Sequence, residues 1–263
     1  MIEHIEKALK DSLFHNKDAM HAQLVEATHY ALFSGGKRLR PRLTLEVSNA
    51  YGIPIEHALQ PACALEYIHT YSLIHDDLPS MDNDDIRRGK PTLHKVYPEG
   101  LAILTGDFLL THAFYLLSHA PHLETTQKLS LIQLLSQAAG GHGMISGQVA
   151  DILLDKKTLK LEEIYSIHKN KTAALIATSL CFGGIIGKAS QEEKHLLYEA
   201  GMYLGLAFQL VDDLLDADLH TPKKCIEEDI NALFTKGLSI LTNIPRPTQK
   251  LATLARECIY RVQ

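Results

Sequence analysis

The chain predicts an all-α fold, a single bundle of roughly ten helices. Three observations predict it. Strand signals are nearly absent, apolar residues recur at helical spacing, and two segments are apolar almost all round, as buried helices are. Apolar residues make up 46 % of the 263 residues, enough for a sizeable core. No repeat or low-complexity linker divides the chain, so one domain over 1–263 is the simplest division.

The helices follow in chain order. Residues 61–77 predict one helix, with Pro61 in its first turn and Pro79 as its stop, because a residue preceding proline avoids the α region. Pro41 and Pro91 read as further first-turn or loop prolines. Residues 128–140 carry apolar positions at helical spacing and end in Gly140. Residues 172–186 and 201–215 are the two segments apolar nearly all round. Loops are predicted at 34–41, 78–92, 118–125, 140–147 and 218–226.

Composition excludes several classes. The net charge of −5 gives no electrostatic footprint for nucleic acid. No run of about eighteen apolar residues predicts a membrane span. The charged N-terminus lacks the apolar core of a signal peptide. Cys63, Cys181, Cys225 and Cys258 are scattered, which predicts reduced thiols in a cytoplasmic protein. The fifteen histidines form no zinc-binding pattern, and most are expected at the surface or at helix caps.

Two acidic clusters break local rules. Asp76 and Asp77 fall at the C-terminus of the 61–77 helix, where the helix dipole is already negative. Asp82, Asp84 and Asp85 follow in the loop. Five acids within ten residues repel one another unless a cation lies between them. Clustered carboxylates suit a hard cation such as Mg²⁺, which shares its shell with water and substrate phosphate. Arg87 and Arg88, close behind, suit phosphate oxygens. In the second cluster, Asp212 and Asp216 share one helix face about 6 Å apart along the axis, with Gln209 one turn earlier. Apolar residues flank these acids, and buried carboxylates need a partner such as a metal. His69, Ser72 and Asp76 stand on one stripe of the first helix.

These segments together resemble the trans-isoprenyl diphosphate synthases. His75-Asp76-Asp77-Leu78-Pro79-Ser80-Met81-Asp82 resembles the family's first aspartate-rich motif in its form with two extra residues. Arg87 to His94 continues it. Asp212-Asp213-Leu214-Leu215-Asp216 resembles the second motif, and Ser34 to Pro41 resembles the diphosphate-binding loop. Gly147-Gln148 and Lys171-Thr172 match further landmarks, in the family's order, between about residues 27 and 218.

The resemblance implies an isoprenoid-synthase bundle around a central cavity, and a Mg²⁺-dependent prenyltransferase joining isopentenyl diphosphate to an allylic diphosphate. Asp76, Asp77, Asp82 and Asp212 would hold the Mg²⁺ ions, with Asp213 and Asp216 in support. Arg87 and Lys171 would contact the allylic diphosphate. Gly36, Lys37, Arg40, His69 and Arg88 would hold isopentenyl diphosphate. Thr172 and Gln209 would line the reacting region. Tyr71 and Ser72, beside the first motif, would set product length. An aromatic at Tyr71 favours farnesyl diphosphate, while the surrounding text also resembles geranylgeranyl diphosphate synthases. A homodimer is implied as well.

The tail departs from the family's pattern. After about residue 217 the usual Gly-Lys, Ser/Thr-Asp and Gly-Lys-Xaa-Thr elements are replaced and the segment is shortened. Lys223 or Lys224 would stand for the first lysine and Asp229 for the aspartate. Weakened closure over the allylic diphosphate is therefore expected, or dependence on a partner chain. Two other readings remain open. A terpene cyclase would not need Lys37, Arg40 and Arg88. A non-catalytic subunit of a heteromeric synthase usually loses aspartates that this chain keeps.

Overall fold

The computed structural model describes residues 1–13, 19–154, 159, 161–216 and 223–260. Among them are thirteen α-helices, one π-helical turn and a two-stranded hairpin. The all-α prediction holds. The chain forms two compact units: Met1–Arg42 with Leu59–His122, and Leu43–Ala58 with Leu123–Gln263.

The first unit holds α1 (Ile2–Ser12), α2 (Ala19–Leu32), the start of α3 (Leu39–Ala50), most of α4 (Ile55–Asp76), strands β1 (Ile86–Arg87) and β2 (Lys90–Pro91), α5 (Leu93–Val96) and α6 (Glu99–Ser118). Ile5, Leu9, Leu65, Ile68 and Leu109 are fully buried in it. Each such side chain contributes roughly 1.5–3 kcal/mol by leaving water. The C-terminus of α1 is closed by tertiary partners. Tyr67 Oη donates to Leu9 O at 3.2 Å and shares a hydrogen bond with Ser12 Oγ at 2.8 Å. His112 Nε2 lies 2.9 Å from Ser12 O. A carbonyl only accepts, so His112 carries its proton on Nε2.

Helix α6 alone among the described helices is long and apolar enough to cross a membrane by length and composition. Its Ala102, Thr105, Gly106, Leu109, His112, Ala113, Leu116 and Leu117 are buried within the protein. Core helices pass the same test of length and composition.

The second unit holds the rest: α7 (Thr125–Ala139), α8 (Met144–Leu153), α9 (Leu161–His168), the π-turn Lys169–Ala173, α10 (Ala174–Ile186), α11 (Gln191–Asp216), α12 (Lys223–Thr242) and α13 (Gln249–Ile259). Helix α10 is its centre, buried at every position except Ile185. Small residues let α11 lie close against it: a Cβ on Gly201 would sit 2.4 Å from Ala177 Cα, and one on Gly205 2.6 Å from Ala173 Cα. The last carbonyls of α10 are satisfied by Gln127 Nε2, which lies 3.0 Å from both Ile185 O and Ile186 O.

Several local expectations need correction. Helix α4 begins at Ile55, so Pro61 sits in its second turn and cannot donate to His57 O. Part of the 78–92 loop is a hairpin, with Ile86 opposite Pro91 and Arg87 opposite Lys90. Arg88 and Gly89 make its turn, both with positive φ. Helix α8 starts at Met144, inside the expected 140–147 loop, and α12 starts at Lys223, inside the expected 218–226 loop. Two of the histidines, His112 and His168, are buried, and the other described ones are exposed or half-buried.

Candidate functional site

The first unit assembles the predicted basic and acidic groups around the C-terminal half of α4. Asp76 is the last residue of that helix. The chain then folds back, and the Asp82 amide donates to Asp76 O at 2.9 Å. Asp76, Asp77 and Asp82 are thereby gathered at one helix end. Asp77 is buried, and burial raises its pKa against the pull of Arg87. Arg87 Nε donates to Asp77 Oδ1 at 2.9 Å, and Arg87 Nη2 donates to Asp84 Oδ2 at 2.8 Å. A cleft lies behind this pair, lined by Tyr30, Ser34, Thr70, Asp77, Arg87 and Arg88. Thr92 Oγ1 donates to Asp84 O at 2.7 Å, which ties the hairpin to the acidic loop.

Arg88 reaches the other way. Its Nη1 donates to Gly35 O at 2.5 Å, and its Nη2 lies 3.4 Å from His69 Nε2. Gly36 has φ +123°, and a Cβ there would meet Arg88 Nη1 at 2.6 Å, so only glycine fits. Lys37 is exposed, while Arg40 is buried, with 9 % of its surface exposed. Burial, then the charges of Arg40 and Arg88, hold the His69 imidazole well below its ordinary pKa. Basic groups from the start of α3, from α4 and from the hairpin thus converge on one place.

Tyr71 is buried on α4, and its hydroxyl has no hydrogen-bond partner among the described residues. Its ring meets His75 edge-on at 5.7 Å. Ser72 Oγ turns inward, donating to His69 O at 2.9 Å.

In the second unit a chain of hydrogen bonds joins the π-turn to α11. Thr172 Oγ1 donates to Gln209 Oε1 at 2.7 Å, and Gln209 Nε2 donates to Asp213 Oδ1 at 2.8 Å. His168 Nε2 lies 3.2 Å from Asp213 Oδ2. Lys171 Nζ donates to Asp151 Oδ2 at 2.6 Å. The π-turn carries both Lys171 and Thr172, and such turns recur at functional sites. Gly147 makes room for it: a Cβ there would sit 2.3 Å from Lys171 N. Asp212 is half-buried on α11, and the Asp216 side chain lies outside the described residues.

Among the described residues, no three histidine, cysteine, aspartate or glutamate side chains already form a metal cage. The donors gathered at the end of α4 are nonetheless all hard oxygens. They fit a Mg²⁺ ion whose shell is completed by water and phosphate.

Three participants escaped the sequence. Asp151 and His168 carry helical signals, Asp151 four residues after Gly147 and His168 four before Thr172. Arg38 has no such signal, since its partners are set by α1 and α4. Of the tail candidates, Lys223 and Lys224 are exposed at the start of α12. Asp229 accepts a hydrogen bond from Tyr165 Oη at 2.5 Å. Residues 217–222 lie outside the described residues.

Residues 21–249 match the family model described as polyprenyl synthetase. The farnesyl diphosphate synthase of Geobacillus stearothermophilus is 49 % identical over 75 % of this chain and 67 % of its own length. The chloroplastic geranylgeranyl pyrophosphate synthase of Capsicum annuum is 45 % identical over 73 % of this chain and 52 % of its own. A solved FPP/GFPP synthase from Zymomonas mobilis superposes with a TM-score of 0.89 at 35 % identity, covering 99 % of this chain and 95 % of that one.

Proposed function

The chain belongs to the polyprenyl synthetase family, and on that premise we propose that it condenses isopentenyl diphosphate head-to-tail with an allylic diphosphate, making farnesyl diphosphate. The observation that carries this is the convergence of Arg88, Arg40 and His69 beside the carboxylates of Asp76, Asp77 and Asp82. An anion binder and a hard-cation binder stand side by side in one unit, as a substrate of diphosphate with bound metal requires. Farnesyl diphosphate synthases among the similar proteins support the same product.

Asp76, Asp77, Asp82 and Asp212 would hold Mg²⁺. Once bound, the metal would neutralise the diphosphate charge that grows as the allylic C–O bond weakens. The chain's own groups do the rest. Arg88 and Arg40 bind and orient the isopentenyl diphosphate, and His69 presents a neutral imidazole beside it. Lys171, steadied by Asp151, offers a charge to the allylic diphosphate. Thr172 is held by Gln209, and Gln209 by Asp213, so the hydroxyl has a fixed direction. Among the described residues of this site no side chain pairs a nucleophile with a base, and the departed diphosphate would serve as base for the lost proton. Catalysis then rests on positioning and electrostatics.

A second product has specific support. Geranylgeranyl diphosphate synthases are among the similar proteins, and product length would turn on Tyr71 and Ser72. The proposal also covers a cytoplasmic homodimer. The test is incubation with labelled isopentenyl diphosphate, Mg²⁺ and primers of each length, followed by chromatography of the products. A fifteen-carbon product is expected. No elongation of any primer would overturn the function, and a twenty-carbon product would shift it to geranylgeranyl diphosphate.

A further inference from the structure

We infer that Arg38, clamped between Glu66 of α4 and Glu6 of α1, is a positioning residue for the isopentenyl diphosphate subsite. The inference rests on the function proposed above.

Arg38 stands between Lys37 and Arg40 in sequence yet behaves unlike either. It is 2 % exposed and adopts a left-handed backbone, φ 50°, which non-glycine residues rarely take. Every nitrogen of its fork faces the protein. Nε donates to Glu6 Oε1 at 2.7 Å, Nη1 to Glu66 Oε1 at 2.9 Å and Nη2 to Leu32 O at 2.6 Å. Three of its five N–H donors are engaged and the side chain is 1 % exposed, so it does not reach substrate directly. It acts through its neighbours.

Two of those neighbours matter. Glu66 lies one helical turn before His69 on α4, so the buried pair fixes the 35–38 loop against the turn that carries His69. From the opposite side, Arg88 holds the same loop through Gly35 O. The loop is therefore gripped twice: by Arg38 through its own side chain and by Arg88 through its backbone. Glu6 adds a third attachment, making the N-terminal helix α1 part of the support. A planar fork that binds two carboxylates and a carbonyl specifies geometry in a way that lysine cannot.

The test uses Arg38→Lys and Glu6→Gln in the full chain. The Glu6 side chain is 34 % exposed, so its substitution is the milder one for folding. The readouts are calorimetric binding of isopentenyl diphosphate, the KM for each substrate, and the melting temperature. Both variants should weaken isopentenyl diphosphate binding about tenfold, as small misplacements of binding groups do. The KM for the allylic diphosphate should stay near wild type. Unchanged isopentenyl diphosphate binding in a folded variant would overturn the positioning role. So would equal losses for both substrates, or unfolding of both variants, since either outcome marks a purely structural residue. Failure of the wild-type protein to bind isopentenyl diphosphate would instead overturn the functional proposal and the subsite with it.

Discussion

Arg87 lies ten residues beyond Asp77 and donates to it through Nε at 2.9 Å. Its Nη2 also bonds Asp84, so the guanidinium bridges a buried carboxylate and a loop carboxylate. The proposed role of Arg87 at the allylic diphosphate therefore includes an exchange of partners, from Asp77 to phosphate. Arg87→Lys keeps the charge but loses the fork, and should cost about tenfold to a hundredfold in kcat/KM. Arg87→Gln should cost more, because it leaves Asp77 buried without its cation. Steady-state kinetics with the allylic substrate varied checks both, and wild-type values in Arg87→Gln would refute the role.

Asp76→Ala and Asp212→Ala should each lower turnover by at least ~10²-fold while the helical circular dichroism remains. Asp76 is at a helix end where carboxylates oppose the dipole, so its loss does not weaken α4. Turnover surviving in either variant would remove the metal role of that cluster.

Gly147→Ala should be harmful out of proportion to its size. The new methyl would meet the Lys171 backbone at 2.3 Å, and backbone moves less readily than a side-chain tip. Overpacking of this kind costs about 1–3 kcal/mol. The π-turn carrying Lys171 and Thr172 should shift with it. Thermal melts and kcat measured together check this, and a variant with both unchanged would show that the turn tolerates displacement.

Tyr71→Ala should lengthen the product, since it removes a buried ring from the stripe leading away from Asp76. Chromatography should show a larger share of twenty-carbon product. An unchanged product would mean that Tyr71 only packs.

Stability should fall in mild acid. Burial holds His112 below its ordinary pKa, and burial with the charges of Arg40 and Arg88 does the same to His69. Both rings are neutral in the fold and take up protons on unfolding, as pH falls below about 6.5. Their full stability is present above that pH and is lost below it. The urea midpoint should therefore be lower at about pH 5.5 than at about pH 7.5, and His112→Gln should narrow the gap. An unchanged gap in that variant would remove His112 from the account.

Sequence by itself determined the helical class and pointed to the residues proposed to carry chemistry. Helical period fixes which residues share a face, so His69 with Ser72 was legible without coordinates, whereas Gln209, expected on the face of Asp212 and Asp216, donates to Asp213. Pro79 marked the end of α4 because its ring excludes the α region from the residue before it. The start of α4 was not legible: Pro61 suggested a boundary, yet tertiary packing carried the helix six residues earlier.

Only the tertiary structure decided the partners. Nothing local pairs Arg38 with Glu6 and Glu66, Lys171 with Asp151, or Arg87 with Asp77. Those pairs span ten or more residues, and their geometry is set by how helices and a hairpin pack. The π-turn that carries Lys171 and Thr172 belongs to the same class, because it appears where α8 presses Gly147 against the chain. Side-chain chemistry is written in the sequence. Which charge meets which is written in the packing, since only a buried and desolvated site makes one partner better than water.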